Sequence, residues 1–382
     1  MTSHLHCHNP APARAVRGFS LIELMTSITI GLLILAGLAS VFVNSSTANR
    51  EMRNTSEQIE NGRYAIEMLT QDIRHAGFYG ELSTLPTVPA AAPDPCAAPT
   101  AGTVTNTVNA SLALPVQYVS AAAIPAGCAA LLAAANLQPN SDIIVVRRTD
   151  TTMVNSAGSG TIAGNTVYLQ TTADTASMQY GVAGAITNAQ DATQTASVLQ
   201  RRDFSVAASG TPLAFPFIAA AIRAYHVRVY FVAPCSVPNG GGSVCTGSAD
   251  DLGKPIPTLK RLELGSGGAF TVVPLVEGIQ AIRIEYGVDN LPATADPGTG
   301  LLGDSVPDSF TNTPSVTDMG NTVAARVYVL ARNTTATSGY VDNKTYTMGT
   351  FTTTATNDSF KRHVYSAETR IANQAGRREI PK

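Results

Sequence analysis

Residues 24–43 run for twenty positions without a formal charge or a proline, about the ~20 that a helix needs to cross ~30 Å of hydrocarbon. The pattern then changes without breaking. Met52, Thr55, Ile59, Gly62, Ile66, Leu69, Ile73 and Ala76 follow in steps of three and four, the seam of an amphipathic helix, and the first proline after the span is Pro86. One helix from Phe19 to about Ala76 is predicted, about 85–90 Å long at 1.5 Å per residue, and its second half must pack on a soluble domain. Large and small residues alternate on the seam, which lets a sheet come close at Gly62 and Ala76. The opposite face carries Arg53, Glu57, Glu60, Arg63, Glu67 and Arg74, where Glu60 with Arg63 and Arg63 with Glu67 have ion-pair spacing. Gly77 is a natural stop, followed by Phe78, Tyr79 and Gly80.

Beyond the helix the period shortens. Residues 83–140 are rich in Ala, Pro and Thr, so long regular structure is not expected there. Residues 141–148 and 166–169 read as β-branched strands, and 171–200 as loop. Further strands are predicted at 225–232, 259–264, 279–286 and 323–330, with a last one at 362–371. Strands joined by Gly, Pro and Asp turns behind one long helix give an α+β fold, an antiparallel sheet packed on the helix with large loop insertions. The division expected is a leader over 1–18, a stalk helix over 19–80 that spans a membrane at about 21–43, and a globular domain over 81–382. A loop-rich subdomain over 83–220 is one way to divide the last.

Arg14 and Arg17 sit just before the apolar run, and positive charge there is held on the cytoplasmic side, so the bulk of the chain lies outside. Glu23 is the anomaly, because a carboxylate inside such a helix costs roughly 2.5–3.5 kcal/mol on insertion scales unless it is near the interface or partnered. Gly18-Phe19-Ser20-Leu21-Ile22-Glu23 resembles the processing site of type IV pilins and pseudopilins. The resemblance implies that a prepilin peptidase cuts between Gly18 and Phe19 and methylates the new N-terminal Phe19. It also implies that Glu23 pairs with the N-terminal amine of a neighbouring subunit during assembly. Two plainer readings stand beside it: a secretory signal peptide cut near Ala39, and a membrane anchor of unrelated function. The acidic residue at the entrance of the apolar run and the continuing helix argue against the first. His4, His6, Cys7 and His8 form a metal-like cluster on paper, but they precede the cut and would be discarded.

A second resemblance covers much more of the chain. Gly62-Arg63-Tyr64-Ala65-Ile66 and Asp72-Ile73-Arg74-His75-Ala76-Gly77-Phe78-Tyr79-Gly80 are similar to the segment that follows the stalk in PilW-type minor pilins. Val229-Tyr230-Phe231-Val232 with Cys235 and Cys245, then Leu259-Lys260-Arg261-Leu262-Glu263, Leu275-Val276-Glu277-Gly278-Ile279, Ile284-Glu285-Tyr286-Gly287-Val288-Asp289 and Lys361-Arg362-His363-Val364-Tyr365-Ser366 are similar to later blocks of that family. The resemblance implies a pilin-like fold and a minor pilin that primes the type IV pilus fibre and sits at or near its tip. The partners it implies are the prepilin peptidase, the major pilin, other minor pilins and a large tip adhesin. It also implies residence in the inner membrane, N-terminus cytoplasmic and C-terminal domain periplasmic, before passage to the surface fibre. A type II secretion pseudopilin is the alternative, since its cleavage site and stalk follow the same logic. A membrane-anchored periplasmic enzyme is the third class.

Composition narrows the chemistry. A net charge of −2 with 14% charged residues leaves no electrostatic footprint for nucleic acid, and 22 prolines with 31 glycines fit a loop-rich exported domain. Five cysteines become four once the leader is removed. Cys235 and Cys245 flank a Pro- and Gly-rich loop and pair most simply with each other, leaving Cys96 with Cys128; three pairings are formally open. An even count in an exported chain favours disulfides over metal. The 298–303 segment matches a dinucleotide fingerprint literally, but it follows Pro297 and not a strand, so it reads as a loop. Asp289, Asp296 and Asp304 read as solvated turn acids and not a calcium site. His75, His226 and His363 stand apart along the chain without a nucleophile context. No catalytic set, cofactor or metal is expected.

Overall fold

The computed structural model describes residues 18–97, 102–103, 110–154, 160–164, 166–180, 184–186, 200–202, 217–264, 269–290 and 303–379. The chain divides into two compact units, Met1–Arg53 and Asn54–Lys382. Helix α1 (Leu21–His75) begins in the first and ends in the second. In the first unit its apolar side chains are exposed on every face, from Leu21 at 76% to Val43 at 60%. A helix that is apolar all round and uncovered by protein suits a lipid environment.

In the second unit α1 packs against two antiparallel sheets. The first has eight strands, among them β1 (Val116–Val119), β2 (Ile143–Thr149), β3 (Tyr168–Thr171), β4 (Ala176–Tyr180), β5 (Ile222–Ala233), β6 (Thr258–Leu264) and β7 (Phe270–Glu277), with Gly102–Thr103 as a short eighth. The long strand β5 organises it. Its residues 222–224 pair with β3, 225–230 with β2 and 228–233 with β6. The second sheet has β8 (Ile279–Val288) between β9 (Ser309–Thr311) and β10 (Thr322–Arg332), and β10 in turn pairs with β11 (Arg362–Arg370). Short helix α2 (Val316–Gly320) opens with a capping box, Ser315 and Asp318 each satisfying the other's backbone N–H. Helix α3 (Ala372–Glu379) follows β11.

One apolar cluster joins the helix to both sheets. Ala65, Leu69 and Ile73 of α1, with Ala76 just beyond its end, meet Val116, Ile144, Tyr230 and Val232 of the first sheet and Ile282, Ile284, Val327 and Val329 of the second. The fold is therefore α+β with a long apolar N-terminal helix and antiparallel sheets, as in a pilin. Several details differ from the expectation. The single sheet is two, and the stretch read as loop over 171–200 contains β4. Ala176, Met178 and Tyr180 alternate there with polar residues, but the small alanine weakens the pattern. Strand β7 holds Pro274, which a strand at the end of the sheet order accommodates.

The buried seam of α1 also differs. Its buried residues are Gln58, Gly62, Ala65, Leu69, Asp72 and Ile73, whereas Met52 is 69% and Ile59 40% exposed. Two polar residues occupy inward positions because the sheets supply partners for them. Gln58 Nε2 donates to the carbonyls of Ala331 at 3.0 Å and Lys361 at 3.1 Å. The expected Glu60–Arg63 and Arg63–Glu67 ion pairs are not formed; Glu67 instead accepts from Gln71 Nε2 at 3.1 Å. Helix α1 ends at His75, and Gly77 takes the left-handed conformation, φ 74°, that stops it.

Candidate functional site

Gly18, Phe19 and Ser20 precede the first turn of α1 and are exposed, Phe19 at 86%. A side chain added at Gly18 would meet nothing within 4 Å. Glu23 lies in the first turn of the helix. Its Oε2 accepts the backbone N–H of Ser20 at 2.9 Å, satisfying one of the donors that every helix start leaves orphaned and sitting at the positive end of the dipole. This local partner, which the sequence reading did not identify, lowers the cost of the carboxylate. A chain cut before Phe19 would begin one residue ahead of Ser20, whose N–H this carboxylate accepts.

The second unit supports this helix through ionic and polar links. Asp72 of α1 accepts Arg148 Nε and Arg228 Nη1, each at 2.7 Å, and Tyr230 Oη at 2.8 Å. Burial pushes its carboxyl up, but Arg228, Arg148 and Tyr230 hold it below the usual carboxylate range. Asp142 ties the sheets together, accepting Arg283 Nη1 at 2.7 Å and the Ile284 N–H at 2.8 Å; here burial prevails and its pKa is raised. Arg362 is buried against Asp342, at 2.8 Å, and Asp358. The Asp72 and Asp142 clusters stood outside the sequence reading because each joins residues far apart in the chain.

The cysteines form two disulfides, Cys96–Cys128 and Cys235–Cys245. Asp94 beside the first accepts the N–H groups of Cys96 and Gly127, and Asp250 beside the second accepts those of Asn239, Thr246 and Gly247. Both groupings resemble metal sites in residue type, but their sulfurs are in disulfides and their carboxylates take backbone donors. Asp289 departs from the expected solvated turn: it is fully buried and pairs with Arg378 Nε of α3 at 2.8 Å. A turn acid in sequence becomes a core acid because α3 brings an arginine to it. Asp304 is exposed, while Asp296 and most of the 298–303 segment lie outside the described residues, as does the His4, His6, Cys7 and His8 cluster. His226 Nε2 contacts Asp150 at 3.0 Å; His75 and His363 are exposed.

Residues 13–39 match the prokaryotic N-terminal methylation motif, which takes in Gly18, Phe19 and Glu23. Residues 242–373 match the family Type IV Pilus-assembly protein W, about a third of the chain. The chain matches a PilW-type pilin with a prepilin-like site. No curated protein and no solved structure matches it. The PilW-type segment begins inside the loop closed by Cys235 and Cys245 and runs through the whole second sheet into the first residues of α3. With the methylation motif ahead of it, the two matches support a type IV pilus-related minor pilin, a structural pilus component. A match to the pilus-assembly family implies interaction with other pilins and with a prepilin peptidase in general. The motif and the apolar helix together suggest a pilin anchored in the inner membrane.

Proposed function

We propose that this PilW-type pilin primes the type IV pilus fibre together with other minor pilins and stays at or near its tip. The observation that carries the reading is the arrangement at the helix start. An open Gly18–Phe19 bond stands directly before a carboxylate held at the helix N-terminus, ahead of a helix whose apolar side chains are uncovered. In this reading the peptidase cuts between Gly18 and Phe19 and methylates Phe19, and Glu23 offers its charge to the amine of a neighbouring subunit. Residues 1–18 are the leader, 19–80 the stalk and 81–382 the globular domain. Arg14 and Arg17 keep the N-terminus cytoplasmic and the globular domain periplasmic, a placement that suits two disulfides. The partners are the major pilin, other minor pilins and a large tip adhesin.

Deletion of the chain, followed by separate assays of surface pili and of secreted enzymes, tests the reading. Loss of pili with secretion intact is the expected result. Loss of secretion with pili intact would assign the chain to a secretion pseudopilus instead.

A further inference from the structure

Lys260 stands in β6, where it pairs with Phe231 of β5 and Pro274 of β7, and it is only 1% exposed. A lysine so placed needs a carboxylate or several oxygen acceptors to hold its ammonium out of water. Among the described residues Lys260 has neither as a hydrogen-bond partner. Its Nζ reaches the two sulfurs of Cys235–Cys245, each at 3.9 Å, and sulfur is a weak acceptor. Burial lowers the Lys260 pKa, while the charges of Asp251 and Asp250 oppose the change. Those carboxylates are engaged elsewhere: Asp250 takes the N–H groups of Asn239, Thr246 and Gly247, and Asp251 those of Ser236, Val237 and Ile256. Glu277, at the end of β7, accepts the Ser236 hydroxyl at 2.8 Å. The second disulfide supplies the contrast. Each has an aspartate carboxylate within 4.8 Å of its sulfurs, Asp250 in one case and Asp94 in the other. Among the described residues, however, no lysine or arginine bonds to the sulfurs of Cys96–Cys128, where Cys128 Sγ lies 3.8 Å from Asp94.

We propose that Lys260 makes Cys235–Cys245 a reversible thiol–disulfide couple, reduced by a dithiol at a higher potential than Cys96–Cys128. In the oxidised chain the amine faces two neutral sulfurs; in the reduced chain it faces a thiolate, and the ion pair favours the reduced state. A thiolate of the dithiol attacks one sulfur and breaks the S–S bond, and the second sulfur of the dithiol then closes on the first and releases the protein. The dithiol loses two electrons and two protons and becomes a disulfide, while the cysteine pair gains the two electrons. One cysteine keeps a proton as a thiol and the other remains a thiolate beside Lys260. The second proton goes to the amine or, where the amine is already charged, to water. Both sulfurs are buried, so exchange passes through a brief opening of the exposed turn over 239–243. Reduction unlinks the loop without releasing it, because Asp250 and Asp251 still hold its backbone, and the sulfurs stay placed to reclose. None of this depends on the assembly role.

The test equilibrates the full-length chain, solubilised from its membranes, without oxygen at pH 7 in graded ratios of reduced to oxidised dithiothreitol. Acid quenching, alkylation of free thiols and peptide mass spectrometry give the reduced fraction of each pair. Cys235–Cys245 should reach half reduction at a ratio about tenfold or more below that of Cys96–Cys128, ~30 mV for a two-electron couple. Lys260→Met keeps the length of the side chain without its charge and should raise the ratio for Cys235–Cys245 by about tenfold. The oxidised variant should unfold at or above the wild-type midpoint, since an apolar residue replaces a buried charge. The reduced wild type gives an independent reading. The alkylation rate of Cys235 or Cys245 against pH should turn over below the ordinary thiol value of about 8.5, and in Lys260→Met at or above it. A lysine with a structural role alone would move the unfolding midpoint and neither thiol reading. Equal half-reduction ratios for the two disulfides, a ratio unchanged in Lys260→Met, or a wild-type alkylation profile that turns over only above about 8.5 would each overturn the proposal.

Discussion

The ring of Tyr365 on β11 occupies the space where a side chain at Gly62 would begin. Helix and sheet reach this distance only because position 62 has no Cβ, and the adjacent Gln58 then bonds to Ala331 and Lys361 across the same contact. Gly62→Val should destabilise the second unit by about 1–3 kcal/mol through overpacking. Adding Tyr365→Ala should recover part of that loss, whereas the two changes would simply add if the contact were absent. Urea unfolding of the single and double variants decides.

Asp72 holds two arginines and a tyrosine of the first sheet to the helix. Asp72→Asn keeps the shape but removes the charge that Arg148 and Arg228 face, and should cost about 1–3 kcal/mol. The sign with pH follows from the lowered pKa. Folding favours the ionised form, so its contribution is present above the ordinary value of 3.8 and is lost as pH falls through the folded value below it. Stability measured from pH 6 down to pH 2 should therefore fall less steeply in Asp72→Asn than in the wild type.

The parts of the fold that rest on local pattern were legible in the sequence. The apolar run, the long helix, its stop at Gly77, the close approach at Gly62 and the strands β2, β5, β6, β8, β10 and β11 all follow from periodicity and glycine placement. What periodicity hides is polar burial. Nothing in the local pattern marks Gln58 and Asp72 as inward residues, because their partners are near 331, 361, 148, 228 and 230, and Asp289 read as a turn acid because Arg378 lies 89 residues on. Strand β4 was obscured by its alanine and β7 by its proline. The helix start was legible as a processing motif, but the Ser20 N–H that partners Glu23 depends on where the first turn begins.

Asp250 anchors the loop closed by Cys235 and Cys245. Burial alone would raise its pKa, yet the N–H groups of Asn239, Gly247 and Thr246, with the Thr246 hydroxyl, bring it to about 2. Its contribution is present above 3.8 and disappears as pH falls through about 2. Amide hydrogen exchange at Asn239, Thr246 and Gly247 should accelerate in Asp250→Asn at neutral pH, while the wild type stays protected there.

Replacing Cys235 and Cys245 together by serine should cost roughly 2–3 kcal/mol, since a short closed loop restricts the unfolded chain. Non-reducing peptide mapping of the wild-type protein should find these two linked, and Cys96 linked to Cys128. Free thiols at 235 and 245 in exported protein would contradict the pairing.

Glu23 spends its carboxylate on Ser20 in the single chain, and the proposed assembly role requires that this partner be exchangeable for an amine. Glu23→Gln should leave cleavage and membrane insertion intact but weaken crosslinking to other minor pilins and reduce surface fibres. Glu23→Asp should fall between the two, because the charge survives while the reach shortens. Wild-type crosslinking and fibre counts in Glu23→Gln would remove the carboxylate from the assembly contact.

The mass of the N-terminal peptide of the mature chain, isolated from the cell envelope, tests the central claim most directly. A peptide beginning at Phe19 and heavier by one methyl group is the predicted result, with Gly18→Val leaving an uncut, inserted precursor. A mature chain that begins at Ser40, as a signal peptide cut after Ala39 would give, or that retains residues 1–18 unmodified, would contradict it.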